Sequence, residues 1–544
     1  MTMGPLIVQS DKTALLEVDH PQATDARHDL AVFAELERAP EHVHTYRITK
    51  LGLWNARAAG HDSDFVIGVL DKYAKFAVPG SVRQDIIETM SRYGRLVIQR
   101  GEDGELELFS SDAAVLAEAG HHRKISDLLG GRISQTSFRI QPWARGAVKQ
   151  ELLKLGWPAE DLAGYAEGTP HQISLEQSEW KIRDYQTKAV EKFWDGGSGV
   201  VVLPCGAGKT IVGAAAMSVA KTNTLILVTN TVSARQWKSE LLRRTTLTED
   251  EIGEYSGSMK EVKPVTIATY QILTTKRKNE YAHLALLNAN DWGLIVYDEV
   301  HLLPAPIFKM TAELQARRRL GLTATLVRED GKEGDVFSLI GPKRFDAPWK
   351  EIEAQGYIAP AACFEIRIDL PESERMQYAI SNQEDRYRIA ATSGVKIPVI
   401  KKIIERHHGE PTLIIGQYLD QLEEVSVGLG VPKITGETAV DERERLFDQF
   451  RQGKVSALVV SKVANFSVDL PEASVAIQIS GSYGSRQEEA QRLGRLLRPK
   501  ADGRTASFYT LIARDTVDQD FAQNRQRFLA EQGYSYEIID AVDL

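Results

Sequence analysis

Apolar residues follow two rhythms along this chain. In LGLWNARAAGHDSDFVIGVLDKYAKF (51–76) they recur every three or four residues, which predicts helices with one buried face. From about Trp180 onward the rhythm changes to short continuous apolar runs: GVVVLP, TLILVT, VTIAT, LIVYD and RLGLTAT. Runs of this length, bounded by Gly, Pro or polar residues and alternating with helix-like segments, are what a parallel sheet buried on both faces requires. After a charged helical interval, PESERMQYAISNQEDRYRIAATS, the pattern returns in TLIIGQ, ALVVSK and VAIQIS. Two α/β sheets in one chain are therefore expected. Between the helical beginning and the first sheet, RLVIQRGEDGELELFS predicts two strands around a turn. DAAVLAEAG is helical, SFRIQP a strand and RGAVKQELLKLG a helix, which together make a small α+β unit. The polar stretch PAEDLAGYAEGTPHQ closes that unit as a linker.

These patterns divide the chain into a mostly helical part over 1–94, a small α+β domain over 95–168 and a first parallel-sheet domain over 169–350. A helical insertion over 351–395 and a second parallel-sheet domain over 396–544 complete it. A length of 544 residues suits several cores rather than one. No apolar run approaches the roughly 18 residues of a membrane span, so no membrane association is expected. Only Cys205 and Cys363 occur, which excludes a disulfide framework and a cysteine zinc site and points to a reducing, cytoplasmic setting. The formal net charge of -9 argues against a simple basic nucleic-acid module but leaves room for a local positive groove.

In GVVVLPCGAGKT the strand stops at Pro204, and Cys205, Gly206, Ala207, Gly208, Lys209 and Thr210 follow. Glycines let the backbone curl so that several N–H groups point at phosphate oxygens, and the helix TIVGAAAMSVAK brings its positive end. Lys209 is placed to reach the β- and γ-phosphates of ATP, and Thr210 to ligate Mg²⁺. The full phosphate-loop pattern is not met, because Leu203 stands where its first glycine belongs. LIVYDEVH ends a second buried strand at the same sheet edge. There Asp298 is placed to hold Mg²⁺, Glu299 to activate the water that attacks phosphorus, and His301 to sense the γ-phosphate or join this site to another motif. In SRQEEAQRLGRLLRPK, Gln491, Arg495 and Arg498 share one helix face, offering guanidiniums to the transition state of phosphoryl transfer.

Together LPCGAGKT, DEVH, GLTAT and QRLGRLLRP resemble the superfamily-two helicases, and the form DEVH with the Arg328-Glu329-Asp330 triplet after TAT resembles the XPB family of DNA helicases. The resemblance implies two tandem RecA-like domains around ATP, a thumb-like insertion, a damage-recognition-like small domain and an XPB-like N-terminal domain. It further implies that Arg183 and Gln186 of RDYQ read adenine, that Asp469 makes ribose or coupling contacts, and that Thr323 and Thr325 of GLTAT couple the two activities. It assigns the 328–330 triplet to duplex separation; the residues alone equally allow an interdomain ion-pair set. Ala464-Asn465 departs from the family's fifth motif.

A strand of DNA is then expected across both domains on the face away from ATP. Thr231 and Arg235 of TNTVSARQW, and Thr269 of ATYQIL, follow buried strands and suit contacts to the DNA backbone. The run Arg317-Arg318-Arg319 reads as a solvated face or helix end rather than a DNA contact. The expected activity is an ATP-dependent DNA helicase or translocase acting at single-strand/duplex junctions, with 3′-to-5′ polarity and a repair role implied by the family. It would work as a monomer, at the nucleoid, with a repair nuclease as a candidate partner. A translocase without processive unwinding and a nucleotide-gated damage-binding scaffold are the competing readings.

Overall fold

The computed structural model describes residues 4–39, 42–204, 206–277, 280–304, 307–308, 311, 314–315, 317–324, 333–347, 352, 354, 361–461, 473–481, 505–531, 534 and 536–544. The expected site residues Cys205, Thr325, Arg328, Glu329, Asp330, Asp469, Gln491, Arg495 and Arg498 lie outside them.

The N-terminal part contains helices α1 (Ala23–Leu30), α2 (Lys50–Ala58), α3 (Ser63–Tyr73) and α4 (Gly80–Arg92). They pack on a four-stranded antiparallel sheet of β1 (Leu6–Val8), β2 (Thr13–Glu17), β3 (Ala34–Arg38) and β4 (Val43–Ile48), in the order β1-β2-β4-β3. Helices outweigh strands here, but the organising sheet is not in the helical expectation. Its strands are short and carry charges on their open face, as in AELER, so no apolar run announces them. The small domain follows as β5 (Leu96–Arg100), β6 (Leu106–Phe109), β7 (Leu129–Arg132), β8 (Ser137–Ile140) and β9 (Ala159–Asp161). These strands form one sheet, β7-β8-β6-β5-β9, with helix α5 (Arg145–Leu155) packed into its core through Val148 and Leu152.

The first of the two long sheets is wholly parallel. Its strands are β10 (Gly199–Val202), β11 (Thr224–Val228), β12 (Ile252–Tyr255), β13 (Val265–Thr269), β14 (Leu294–Asp298), β15 (Arg318–Thr323) and β16 (Lys343–Asp346). The order is β12-β13-β11-β14-β15-β10-β16. The five central strands are nearly or wholly buried, as continuous Val, Ile and Leu runs demand. Around them lie α6 (Asp184–Gly196), α7 (Lys209–Ala220), α8 (Thr231–Arg244) and the short α9 (Tyr270–Thr274).

The second sheet is parallel throughout as well: β17 (Ala361–Ile368), β18 (Thr412–Gly416), β19 (Lys433–Ile434), β20 (Ala457–Ser461), β21 (Val475–Gln478), β22 (Ala506–Ala513) and β23 (Tyr536–Asp540). Its order is β19-β20-β18-β21-β22-β17-β23. Because β17 pairs along its whole length with β22, residues 361–368 belong to this sheet. Within 351–395, the helical excursion among the described residues is therefore Glu372–Ile380 followed by Gln383–Thr392. Two tandem parallel sheets in an α/β chain match the expected RecA-like architecture.

The N-terminal part touches both parallel-sheet units. On one side Asn55 Oδ1 accepts from the Lys343 N–H at 2.9 Å, and Arg344 Nη1 donates to the Ala58 carbonyl at 3.4 Å. On the other, β3 meets helix α10 (Val517–Glu531): Arg527 Nη1 donates to the Glu37 carbonyl at 2.6 Å, and Ala530 joins the N-terminal core.

Candidate active site

Three adjacent strands, β14, β15 and β10, end at one edge of the first sheet, and the loops that leave them meet there. The chain leaves β10 at Leu203 and Pro204 and enters α7 at Lys209. Gly206 and Gly208 both have φ of +81°. Gly208 needs glycine twice over: its backbone is left-handed, and a Cβ would lie 2.5 Å from Gln186 Nε2. Ala207 is fully buried, and its N–H donates to the Pro204 carbonyl. The loop is braced from α6. Gln186, itself fully buried, donates to the Ala207 carbonyl at 2.9 Å and accepts from the Arg183 N–H at 3.0 Å. Tyr185 donates its hydroxyl to the same carbonyl at 2.6 Å and receives Arg183 Nη1 at 3.0 Å. Arg183 and Gln186 are thus joined to the glycine loop that precedes α7.

Lys209 Nζ donates to Glu299 Oε1 at 2.7 Å, with both side chains largely buried. Thr210 is the next residue of α7. Glu299 sits in the left-handed region, φ +48° and ψ +54°, as the chain turns from β14 into a short 3₁₀ turn, Val300–Leu302. That conformation is strained for a residue with a side chain, and it aims the carboxylate at the loop. Burial alone would raise the Glu299 carboxyl, but Lys209 and then His301 outweigh it and hold it below its ordinary value. Asp298 goes the other way: burial, then the charge of Glu299, push it up to about 6. Two abutting carboxylates, one of them disfavoured as an anion, fit a divalent cation, which would remove that cost. Among the described residues no group of three or more His, Cys, Asp or Glu surrounds a single metal position. A cation here would depend on Asp298, Thr210 and the oxygens of the nucleotide.

His301 is 5% exposed, and its Nδ1 lies 2.5 Å from Thr323 Oγ1 and 3.6 Å from Glu299 Oε2. It therefore joins the strand end of β14 to that of β15. Thr231 and Arg235 are exposed on the first turns of α8, where a DNA backbone could approach them. Thr269 differs from expectation. It is 2% exposed, and its hydroxyl accepts from the Ile272 N–H as the N-cap of α9, so it is turned into the fold rather than toward DNA. Arg319 also differs. It is 1% exposed, with its guanidinium donating to the carbonyls of Leu339, Leu314, Gln315 and Arg317.

Two residues play a part in this site that the sequence reading did not give them. Trp237 Nε1 donates to Asp298 Oδ2 at 2.8 Å, and Tyr270 donates its hydroxyl to the Asp298 carbonyl at 2.8 Å. An aromatic on the buried face of a helix carries no signal that separates it from core.

Comparison with known proteins places the chain in a family. The family model for the ERCC3/RAD25/XPB C-terminal helicase matches residues 352–543, and that for the type III restriction enzyme res subunit matches 179–328. A helicase conserved C-terminal domain model matches 6–134. The DNA 3'-5' helicase XPB of Kineococcus radiotolerans is 66% identical over 544 residues, covering 100% of this chain and 98% of its own. That of Mycobacterium tuberculosis is 64% identical, with 100% and 99% covered. The general transcription and DNA repair factor IIH helicase/translocase subunit XPB/SSL2 of Saccharomyces cerevisiae is 30% identical, with 98% of this chain and 72% of its own covered. With identity this high over its whole length, and with two parallel sheets in one chain, the protein belongs to the XPB family of superfamily-two DNA helicases.

Proposed function

We propose that this protein hydrolyses ATP to move 3′-to-5′ on DNA and to open the duplex at single-strand/duplex junctions, in DNA repair. The observation that carries the chemistry is the Lys209–Glu299 ion pair beside Asp298, at the ends of three neighbouring parallel strands. While Lys209 holds Glu299, the carboxylate is a poor base, since its partner lowers its proton affinity. Arriving ATP offers Lys209 a γ-phosphate in exchange. Glu299 is then released, its proton affinity rises, and it can take a proton from water as the water oxygen attacks the γ-phosphorus. The bond to the β–γ bridging oxygen breaks and ADP is the leaving group. Mg²⁺, held through Asp298 and Thr210, would neutralise phosphate charge. Arg495 and Arg498 would add positive charge as the second sheet closes, and Arg183 and Gln186 would report adenine to the loop they brace.

His301, Thr323 and Thr325 would supply the coupling route from the carboxylate toward the segment after β15, where the Arg328-Glu329-Asp330 triplet would act on the duplex. Asp469 would contribute ribose or coupling contacts from the second half. Both sheets are present in one chain, which supports a monomer; it would act at the nucleoid, with a nuclease as collaborator on the opened strand. The names of the bacterial relatives support the polarity, and that of the yeast relative supports the repair role. The test is ATPase and strand displacement on 3′-tailed, 5′-tailed and blunt duplexes. DNA-stimulated turnover with displacement restricted to 3′-tailed substrates is expected. Stimulated turnover without displacement would leave a translocase, and unstimulated slow turnover a nucleotide-gated scaffold.

A further inference from the structure

Asp298 is gripped by a side chain from outside the phosphate loop. Trp237, seventh residue of α8, is 2% exposed, and its indole N–H meets Asp298 Oδ2 at 2.8 Å. The other oxygen, Oδ1, accepts from the Glu299 backbone N–H at 3.1 Å. Each carboxylate oxygen thus has one donor that fixes its direction and keeps a lone pair for another partner. Below the carboxylate, Tyr270 ties the backbone carbonyl of the same residue to α9 at 2.8 Å.

The indole itself has no room to turn. A Cβ on Gly213 of α7 would lie 2.4 Å from Trp237 Cη2 and 3.4 Å from Leu322, so glycine is what lets the ring seat between α7 and β15. The helix that begins at Lys209 therefore clamps the ring that orients Asp298. A buried indole N–H needs some acceptor, and a backbone carbonyl would serve for packing alone. Here the acceptor is the carboxylate that the reading above gives to the cation.

We propose that Trp237 is a positioning residue for the cation site: its indole N–H locks the Asp298 carboxylate in the orientation that receives Mg²⁺ with the nucleotide. This rests on the proposed function, and it assigns a role to a residue outside the phosphate loop, the DEVH turn and the arginine helix. Groups that orient a metal ligand from behind set its affinity, typically by 10–100-fold.

The test uses Mn²⁺ in place of Mg²⁺, with the full-length protein, saturating ADP and free Mn²⁺ read by electron paramagnetic resonance. Trp237→Phe keeps an aromatic ring and removes the donor, and about a tenfold weaker Mn²⁺ affinity is expected. Asp298→Asn alone should weaken it as well. In the double variant, Trp237→Phe should add nothing further, since the indole acts through the carboxylate. Thermal melting of each variant checks the fold. Should the phenylalanine variant fail to fold, 3-benzothienylalanine at 237 supplies the same shape with sulfur in place of N–H and carries the same expectation. Mn²⁺ affinity within twofold of wild type in a folded donor-less variant overturns the proposal while Asp298→Asn remains weakened. A full additional loss in the double variant overturns it too. If Asp298→Asn itself binds Mn²⁺ normally, the cation assignment of the proposed function fails, and this inference with it.

Discussion

Replacing Glu299 with Gln separates the two tasks that the site gives this residue. The amide keeps the volume, and neither residue escapes the left-handed backbone, φ +48°, so the strain of the turn is unchanged. What disappears is a charge 2.7 Å from Lys209 Nζ. At an effective dielectric constant near 20, that contact represents a gross attraction of about 6 kcal/mol, before the opposing cost of burying both groups. Much of it is offset, because Asp298 remains nearby as a counter-charge and the amide oxygen still accepts a hydrogen bond. Even a residual 1.4 kcal/mol would release Lys209 to a phosphate about tenfold more readily. ATP should therefore bind at least as tightly as in the wild type, and up to about tenfold more tightly. Hydrolysis should fall by ~10²–10⁴, the usual scale for losing a general base. Equilibrium binding of a fluorescent ATP analogue and single-turnover quench-flow with γ-labelled ATP read the two effects separately. Asp298→Asn should behave differently, losing nucleotide affinity and cation dependence together. Hydrolysis by Glu299→Gln within about threefold of wild type would show the carboxylate to be a lysine anchor and no more, and a loss of ATP affinity would refute the exchange of partners at Lys209.

Other perturbations probe the rest of the chain. Lys209→Ala should abolish ATPase activity while salt-sensitive DNA binding persists in a filter-binding titration, because phosphate charge dominates that binding. Arg495→Ala and Arg498→Ala should each lower kcat far more than they raise the ATP dissociation constant, if the guanidiniums act in the transition state; the reverse pattern in steady-state kinetics would make them binding residues. In the N-terminal part, burial and then Arg27 push the His44 imidazole down to about 4, with the side chain 3% exposed. A folded-state value below the unfolded 6.5 means that the unfolded chain takes up protons first. Stability of this part is then highest above pH 6.5 and falls by about 3 kcal/mol as the pH drops toward 4. Urea unfolding at a series of pH values should show that slope in the wild type and lose most of it in His44→Gln.

The central strands of both motor sheets were legible because a strand buried on both faces must be apolar without interruption, and LIVYD or ALVVS has no other economical use. Edge strands were not. KRFD (343–346) is a charged tetrapeptide that becomes a strand only by pairing with β10, and IGEY (252–255) pairs only with β13. The convergence of Lys209, Asp298 and Glu299 followed from sheet topology, since neighbouring parallel strands deliver their C-terminal ends to one crevice. Thr269 was misplaced because a hydroxyl after a strand has the same local sequence whether it caps the next helix or meets a ligand. Arg319 reads as solvated for a related reason: the four carbonyls that satisfy it come from the segment just before its strand and from the end of helix Glu333–Leu339, whose approach no local pattern records.

The two contacts made by the N-terminal part turn an open chain into a closed linkage. Residues of α2 hold the outermost strand of the first sheet, and β3 holds the last helix of the second. A hinge motion that opens or shuts the gap between the sheets must therefore slide at least one of these joints or carry the N-terminal part along as a lever. Each joint includes a main-chain group, the Lys343 N–H or the Glu37 carbonyl, whose bond survives side-chain substitution at 343 or 37, while a shift in backbone register would break it. Mechanical load applied to the first 94 residues, by a bound partner or by DNA, would be felt as torque across the nucleotide crevice, and the stroke of the motor would be felt in return at the N-terminal sheet.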